Sequence, residues 1–488
     1  MDSYKEAHEH FVANNTGTRI GDLIVCLAHI PVFVFWLKEL QGRASPSIVR
    51  DCIFLSIPVL LVVTVLVEYH YFTVCILYIS SILWYIWKKT ASKNVPHSEL
   101  IDAKTTPDNL HKKTSYLTLF KGLNVLLTCI SILAIDFPIF PRKLGKTETF
   151  GISLMDVGVG TFIVSSALTS KFSRGIQQST TTATASTTGT TTYKKLYTIP
   201  SLSVQHWLVL LLGIGRLLLL KLLNYQEHVS EYGVHWNFFV TLFCVWTIAD
   251  CIHYVCSRDS IFYLCIIWIL GYQMLLLNTP LTEYMLSPER DNIISANKEG
   301  IISLLGYIPL YLLSEYFANS LFYRTVSLNN VEYAQNHKKQ GTMKLWDFPL
   351  INRLCLVSIV LWGLWWGFEC IQPTSRRLVN TAYIALVLAL TITMILVLYI
   401  IDTATTLASA STDSSGNDSN AVAVVPVYTL HYMSRHSLSV FLLANAMTGA
   451  VNMSMQTVYT PDATALGVMA AYVVAITAVA WGAECIHP

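Results

Sequence analysis

Thirteen mainly apolar stretches recur along the chain, separated by short polar turns or by longer polar segments of up to 35 residues. With a bilayer crossing of about 17–25 residues, the pattern predicts helices over roughly 20–37, 52–67, 70–87, 115–135, 150–170, 201–220, 236–255, 260–278, 300–320, 354–371, 378–401, 437–456 and 463–482. The second and third are short and parted only by Glu68-Tyr69, which suits a tight hairpin. Two segments, about 177–193 and 402–420, consist largely of Thr, Ser and Ala; with little to bury they read as loops. The expected fold is an all-α integral membrane protein, a single polytopic bundle of about 13 transmembrane helices over residues 1–488.

Composition agrees with that pattern. Only 13% of the 488 residues are charged, about half the fraction of a soluble chain. A net charge of +2, with no basic cluster among aromatics, gives no reason to expect nucleic acid. Eleven scattered cysteines include no Cys-x-x-Cys pair and read as buried free thiols. Met1–Gly17 is polar and acidic rather than basic and then apolar, unlike a cleavable signal peptide. The odd-numbered loops carry 20 Lys and Arg, against 10 in the N-terminus and even-numbered loops. The positive-inside rule then puts the N-terminus outside the cytosol, which in an internal membrane is the lumen, and the C-terminus in the cytosol.

In that topology the loops richest in chemistry share the lumenal side. The first, Ile135–Lys146, sets Asp136 just beyond an apolar run. The negative end of a helix disfavours a carboxylate charge there, and Pro138 keeps its predecessor out of helical geometry. The chain is therefore expected to leave the helix extended, with Asp136 beside the break and Lys146 ten residues on. Asp156 lies inside the next apolar segment, among Gly151, Gly158 and Gly160. Ionisable groups at such depth are expensive and point to function.

A second loop runs from Asn224 to Asn237. If it is helical, Glu227 and Glu231 share a face, as do His228 and His235 two turns apart. Such a face suits a polyol held by hydrogen bonds and aromatic stacking. A metal held by His228, His235 and the glutamates is the alternative, although no His-Glu-x-x-His spacing supports zinc. An interfacial aromatic belt is the structural reading. Asn297 and Lys298 after the eighth helix, and Arg376 after the tenth, complete the polar loops. Asn445 and Asn452, with Thr448, Gly449 and Ser454, put polar and small residues at helical spacing in an apolar span, the pattern of a packing seam or of a site. Arg216 suits either a lipid phosphate or snorkelling.

Several chemistries lack their motifs: there is no Gly-x-Ser-x-Gly elbow, phosphate-binding Gly-x-x-x-x-Gly-Lys loop or dinucleotide fingerprint. A transporter or lipid scramblase would also place charges in spans, but it predicts an internal repeat that this chain does not show. A histidine-centred membrane acyltransferase would need His29 or His253 in a polar setting, which neither neighbouring sequence supplies.

Five blocks resemble one family: IDFPIFPRKLGKTETFGISLMDVGVG (135–160), NYQEHVSEYGVHWNFF (224–239), SANKEGIISLLG (295–306), SRRLVN (375–380) and FLLANAMTGAVNMSMQ (441–456). They are similar to the PIG-W/Gwt inositol acyltransferases, as is the opening Phe11-Val12-Ala13-Asn14. The resemblance implies a multi-pass protein of the endoplasmic reticulum membrane that acts early in glycosylphosphatidylinositol anchor synthesis. It would move a fatty acyl chain, typically palmitoyl, from acyl-CoA to the inositol 2-hydroxyl of glucosaminyl-phosphatidylinositol. Acyl-CoA is then a co-substrate and no cofactor is expected; the partners are these two substrates and membrane lipids, with no obligate protein partner. The family's leading catalytic pair maps onto Asp136, as base on the inositol hydroxyl, and Lys146, as the partner of the oxyanion or of a substrate phosphate. His228 is the rival base. Arg142, Asp156, Glu227, His228, Glu231, His235, Asn297, Lys298, Arg376, Asn445 and Asn452 are the substrate-binding candidates. Direct transfer without an acyl-enzyme is expected, because no Cys or Ser stands beside a matching base.

Overall fold

The computed structural model describes residues 2–13, 15–41, 47–91, 115–174, 202–222, 229–323, 349–410 and 427–486. Among these residues there are helices and turns and no strands: the chain is an all-α polytopic membrane protein. Nine of the described helices are long and apolar enough to cross a bilayer, fewer than the thirteen expected. The other four stretches are helical but short, broken or more polar. One is interrupted by a π-helical turn, Cys52–Ser56, between Ile48–Asp51 and Ile57–Val63. Leu154–Leu168 and Val204–Leu219 are short, and Ser437–Ser454 carries Asn445 and Asn452. The 177–193 segment lies outside the described residues.

The chain divides into two compact units, one of Met1–Phe162, Ile351–Leu361 and Ala389–Pro488, the other of Ile163–Leu350 and Trp362–Leu388. In the first, helix Ser115–Ala134 packs against Tyr428–Arg435, Ser437–Ser454 and Asp462–Ile486. Gly122 permits the closest approach, since a Cβ there would come 2.4 Å from the Leu430 carbonyl oxygen. Polar links cross this unit's apolar interior: Tyr472 donates to the Cys129 carbonyl at 2.9 Å, and Thr429 to the buried Asp51 carboxylate at 2.6 Å. The expected tight turn is present. Helix Ile57–Val63 ends at Thr64, a 3-10 turn covers Val65–Tyr69, and His70 donates from its ring to the Val62 carbonyl at 2.7 Å before helix His70–Ala91 begins.

The expected loop from residue 402 needs correcting at its start, because helix Thr381–Ala410 runs on to Ala410; residues 411–420 lie outside the described residues. Asp402 is part of the packing: its carboxylate takes the Lys38 ammonium as ion-pair partner and accepts from the Ser115 hydroxyl. The Thr/Ala composition that suggested a loop is also compatible with helix once that anchor is made.

In the second unit, helices Phe238–Val255, Arg258–Asn278 and Lys298–Ala318 pack together, with Val204–Leu222 on the first. Asn237 caps Phe238–Val255 by accepting the Phe239 and Val240 N–H groups, and Ser257 caps Arg258–Asn278. Gly306 admits the Val379 carbonyl, 2.3 Å from where a Cβ would stand, and Val379 itself has φ +48°. This crowding holds the 372–380 turn against helix Lys298–Ala318.

Candidate active site

Helix Ser115–Ala134 delivers Asp136 two residues past its end. The backbone there is not extended, as Pro138 had suggested, but folds into successive turns: Asp136 N–H donates to Leu133, Phe137 to Ala134 and Phe140 to Phe137. Pro138 sits inside the turns, where the missing N–H costs nothing. The outcome is a compact plug with Phe137 and Phe140 fully buried and Asp136 only 6% exposed.

Two distant segments converge on this carboxylate. Asn452, near the end of helix Ser437–Ser454, donates to Oδ2 at 2.8 Å. His8, in the N-terminal helix Asp2–Val12, places Nε2 3.1 Å from Oδ1. His8 is 8% exposed, and its other ring nitrogen, Nδ1, is buried with no hydrogen-bond partner among the described residues. Tyr4 fastens the N-terminal helix: its hydroxyl is 3.2 Å from Thr457 Oγ1, and its ring packs on Tyr459.

Arg142 borders the same carboxylate. Its Nη2 donates to the Phe137 and Phe140 carbonyls at 3.0 Å, and the guanidinium lies over the Phe11 ring, 4.1 Å from its centroid. Burial pushes this guanidinium down to about 10, with the Asp136 charge opposing the shift. Nη1 is buried without a partner among the described residues. Lys146 is half-buried on the same loop and has polar or electrostatic interactions of its own.

Asp156 does a different job. It is the third residue of a helix start whose cap is Ser153: Ser153 donates to Oδ2 at 2.7 Å while the Asp156 N–H donates to Ser153 Oγ at 3.0 Å. The Thr147 N–H and hydroxyl also donate to the carboxylate. Asp156 thus closes the 147–153 loop. Gly17 and Gly151, with φ of +83° and +131°, let the chain around Thr16 pass against that loop, and the Thr18 N–H donates to the Ile152 carbonyl at 2.7 Å.

The remaining candidates lie in the second unit, apart from Asn445, whose amide donates to the Phe441 carbonyl of its own helix. Glu227 and His228 lie outside the described residues. Of the expected helical face, the described residues keep one turn, Val229–Tyr232, after which Gly233 (φ +114°) ends it. Glu231 pairs with Arg376 at 3.5 Å. His235 is exposed, and its backbone N–H donates to Asn297 Oδ1 at 2.7 Å. Lys298 is fully buried and donates to the Ser287 carbonyl and hydroxyl and the Glu289 carbonyl. Beside it, Glu299 holds Arg290 at 2.7 Å and Arg377 at 2.8 Å. His253, expected to lack a polar setting, has one: Nε2 is 2.6 Å from Glu315, and the ring stacks on Phe172. The thiols are not all buried either, since Cys75, Cys251 and Cys370 are exposed.

The GWT1 family model matches residues 4–483. The chain belongs to the GWT1 family. It is 30% identical over 517 residues to the "Phosphatidylinositol-glycan biosynthesis class W protein" of Dictyostelium discoideum, covering 98% of this chain and 97% of the relative. It is also 30% identical to the "GPI-anchored wall transfer protein 1" of Yarrowia lipolytica (98% and 97% covered) and of Saccharomyces cerevisiae (97% and 96% covered). The match takes in both halves of the Asp136 site, from the N-terminal helix to the end of Ser437–Ser454.

Of the sequence candidates, the structure brings Asp136, Arg142 and Asn452 together; His8, which joins them, was not among those candidates. A signal was present: Tyr4, His8 and Phe11 recur at spacings of four and three, one face of a short amphipathic helix.

Proposed function

We propose that this membrane protein transfers a fatty acyl chain from acyl-CoA to the inositol 2-hydroxyl of glucosaminyl-phosphatidylinositol, in the endoplasmic reticulum membrane, during glycosylphosphatidylinositol anchor synthesis. The names of the curated relatives support the pathway. The observation that carries the chemistry is the buried Asp136–His8 pair, with His8 Nδ1 unpartnered among the described residues.

An alcohol attacks a thioester efficiently only when a base removes its proton as the new bond forms. Both Asp136 oxygens already have hydrogen-bond partners. Nδ1 of His8 has no such partner. In this reading His8 takes the inositol proton at Nδ1, and Asp136 fixes the Nε2–H tautomer and stabilises the imidazolium. The hydroxyl oxygen bonds to the thioester carbon, and a tetrahedral oxyanion forms. On its collapse the C–S bond breaks and His8 returns its proton to the thiolate, so free CoA leaves. Arg142 and Lys146, two cations of the loop, are assigned to the oxyanion or to the phosphodiester of the lipid acceptor. Asn452 holds Asp136 from the opposite side.

The test is acyl transfer by the purified full chain in nanodiscs, with labelled palmitoyl-CoA and a glucosaminyl-phosphatidylinositol acceptor. Inositol-acylated lipid is the expected product, and its loss in correctly folded Asp136→Asn and Lys146→Ala would assign the loop. A well-folded wild type that yields no acylated lipid with any acyl donor overturns the reading.

A further inference from the structure

The largest fully buried side chain among the described residues is Arg353, in the first turn of helix Leu350–Ile371 and 1% exposed. An arginine near a membrane boundary ordinarily snorkels to water or pairs with a carboxylate. This one does neither. Nε, Nη1 and Nη2 are all buried and all without a hydrogen-bond partner among the described residues. The titratable groups beside it are the neutral phenols of Tyr116 and Tyr399, which pack edge to face 5.3 Å apart. Asp402, one turn beyond Tyr399 on the same helix, already has Lys38 as its partner. Among the described residues, Lys38 therefore has its anion and Arg353 does not.

The backbone adds to the same field. The helix that carries Arg353 starts behind Pro349 with no side-chain cap, so the N–H groups of its first turn remain available to an anion. Side chains on a helix lean toward its N-terminus, which brings the guanidinium to that end. Tyr116 opens helix Ser115–Ala134 while Asp136 follows its far end. At 1.5 Å per residue the two sites stand roughly 27 Å apart along that helix.

We infer that Arg353 is the core of a second binding site, one for a phosphate ester at the opposite membrane boundary from Asp136. A guanidinium with all three nitrogens open matches the paired oxygens of a phosphate better than any single-point acceptor. Two sources offer that group at a bilayer surface: the phosphodiester of a glycerophospholipid headgroup and the nucleotide end of coenzyme A. The coenzyme source rests on the acyl-transfer reading; the lipid source does not.

The experiment measures thermal unfolding of the full chain after exhaustive exchange into a phosphate-free maltoside detergent, with coenzyme A or phosphatidylinositol added separately. At least one probe should raise the unfolding temperature of the wild type by roughly 3 °C at a hundredfold excess over its Kd. Arg353→Met should abolish that rise, and Arg353→Lys, which keeps the charge and loses the fork, should bind about tenfold more weakly. Without probe, Arg353→Met should unfold at or above the wild-type temperature, because it removes a buried charge that has no partner. A rise with coenzyme A alone assigns the nucleotide phosphate, a rise with the lipid alone assigns the headgroup, and a rise with both supports the shared chemistry. No rise with either probe, or equal rises in wild type and both variants, overturns the site. Because binding is read without turnover, an Arg353-dependent rise in a protein that transfers no acyl group would reject the reaction and keep the site.

Discussion

Asp136 and Asp156 lie twenty residues apart in the same unit, both almost inaccessible to solvent, yet they are held in opposite ways. The carboxylate of Asp156 is gripped from nearby, by Ser153 three residues back and Thr147 nine residues back, inside a capping box at a helix start. Every one of those partners also serves the path of the loop. Asp136 is gripped from afar, by His8 and Asn452, 128 and 316 residues away. Its neighbourhood keeps unfilled polar atoms, His8 Nδ1 and Arg142 Nη1. Locally satisfied charge stabilises a fold. Charge assembled from remote segments, with donors and acceptors still open, is the arrangement expected where a substrate completes the network.

The strongest way to break this comparison is Asp136→Asn. The amide keeps the size of the carboxylate but cannot stabilise an imidazolium, so acyl transfer should fall on the order of 1,000- to 10,000-fold. The unfolding temperature should stay near that of the wild type. A loss of activity accompanied by an equal loss of folded protein would move Asp136 into the class of Asp156. Next in size is His8→Gln, which should cost about 100- to 1,000-fold in kcat. A His8→Gln enzyme with unchanged kcat would return the role of base to Asp136 itself.

The reciprocal change is Asp156→Asn. Here the expected cost is about 2 kcal/mol of stability, from a weakened cap and from hydroxyl donors left with a poorer acceptor. It should appear as a lowered unfolding temperature, while the folded fraction keeps a kcat near that of the wild type. If Asp156→Asn instead abolished kcat at an unchanged unfolding temperature, the distinction between the two carboxylates would fail.

What the sequence made legible follows the same division. Apolar runs of bilayer length report helices directly, because nothing else satisfies the backbone in lipid, and the all-α polytopic fold was readable for that reason. The number of spans was not, because hydropathy does not reveal the π-helical turn at Cys52–Ser56 or the shortness of Leu154–Leu168. Asp136 and Arg142 were visible because a helix end, a proline and charged residues are neighbours in sequence. His8 was not, since its contact spans 128 residues. Lys298 looked like a ligand-binding cation, but its ammonium holds the carbonyls of Ser287 and Glu289, and carbonyl partners leave no mark on composition. Arg353 was passed over for the opposite reason. A single arginine at the start of an apolar run reads as a snorkelling end, and only the fold shows its side chain enclosed.

The smallest effect comes from Tyr4→Phe, and it separates placement from chemistry. Among the described residues Tyr4 makes no hydrogen bond to Asp136 or His8; its ring lies beside the His8 ring, centroids 6.2 Å apart. It ties the N-terminal helix to Thr457 and stands near the Val458 N–H, one turn of helix away from His8. Removing the hydroxyl leaves the ring packed on Tyr459, so the helix should remain folded while its anchorage loosens. An imidazole held less firmly spends less time aligned with the inositol hydroxyl, and kcat should fall a few-fold with KM for acyl-CoA unchanged. The pH profile of the remaining activity should keep its shape, because Asp136 and His8 are both intact. A Tyr4→Phe enzyme with altered KM for acyl-CoA would mean that the N-terminal helix lines the donor's path rather than presenting the base. A kcat unmoved by the change would mean that the Asp136 contact alone holds His8 in place.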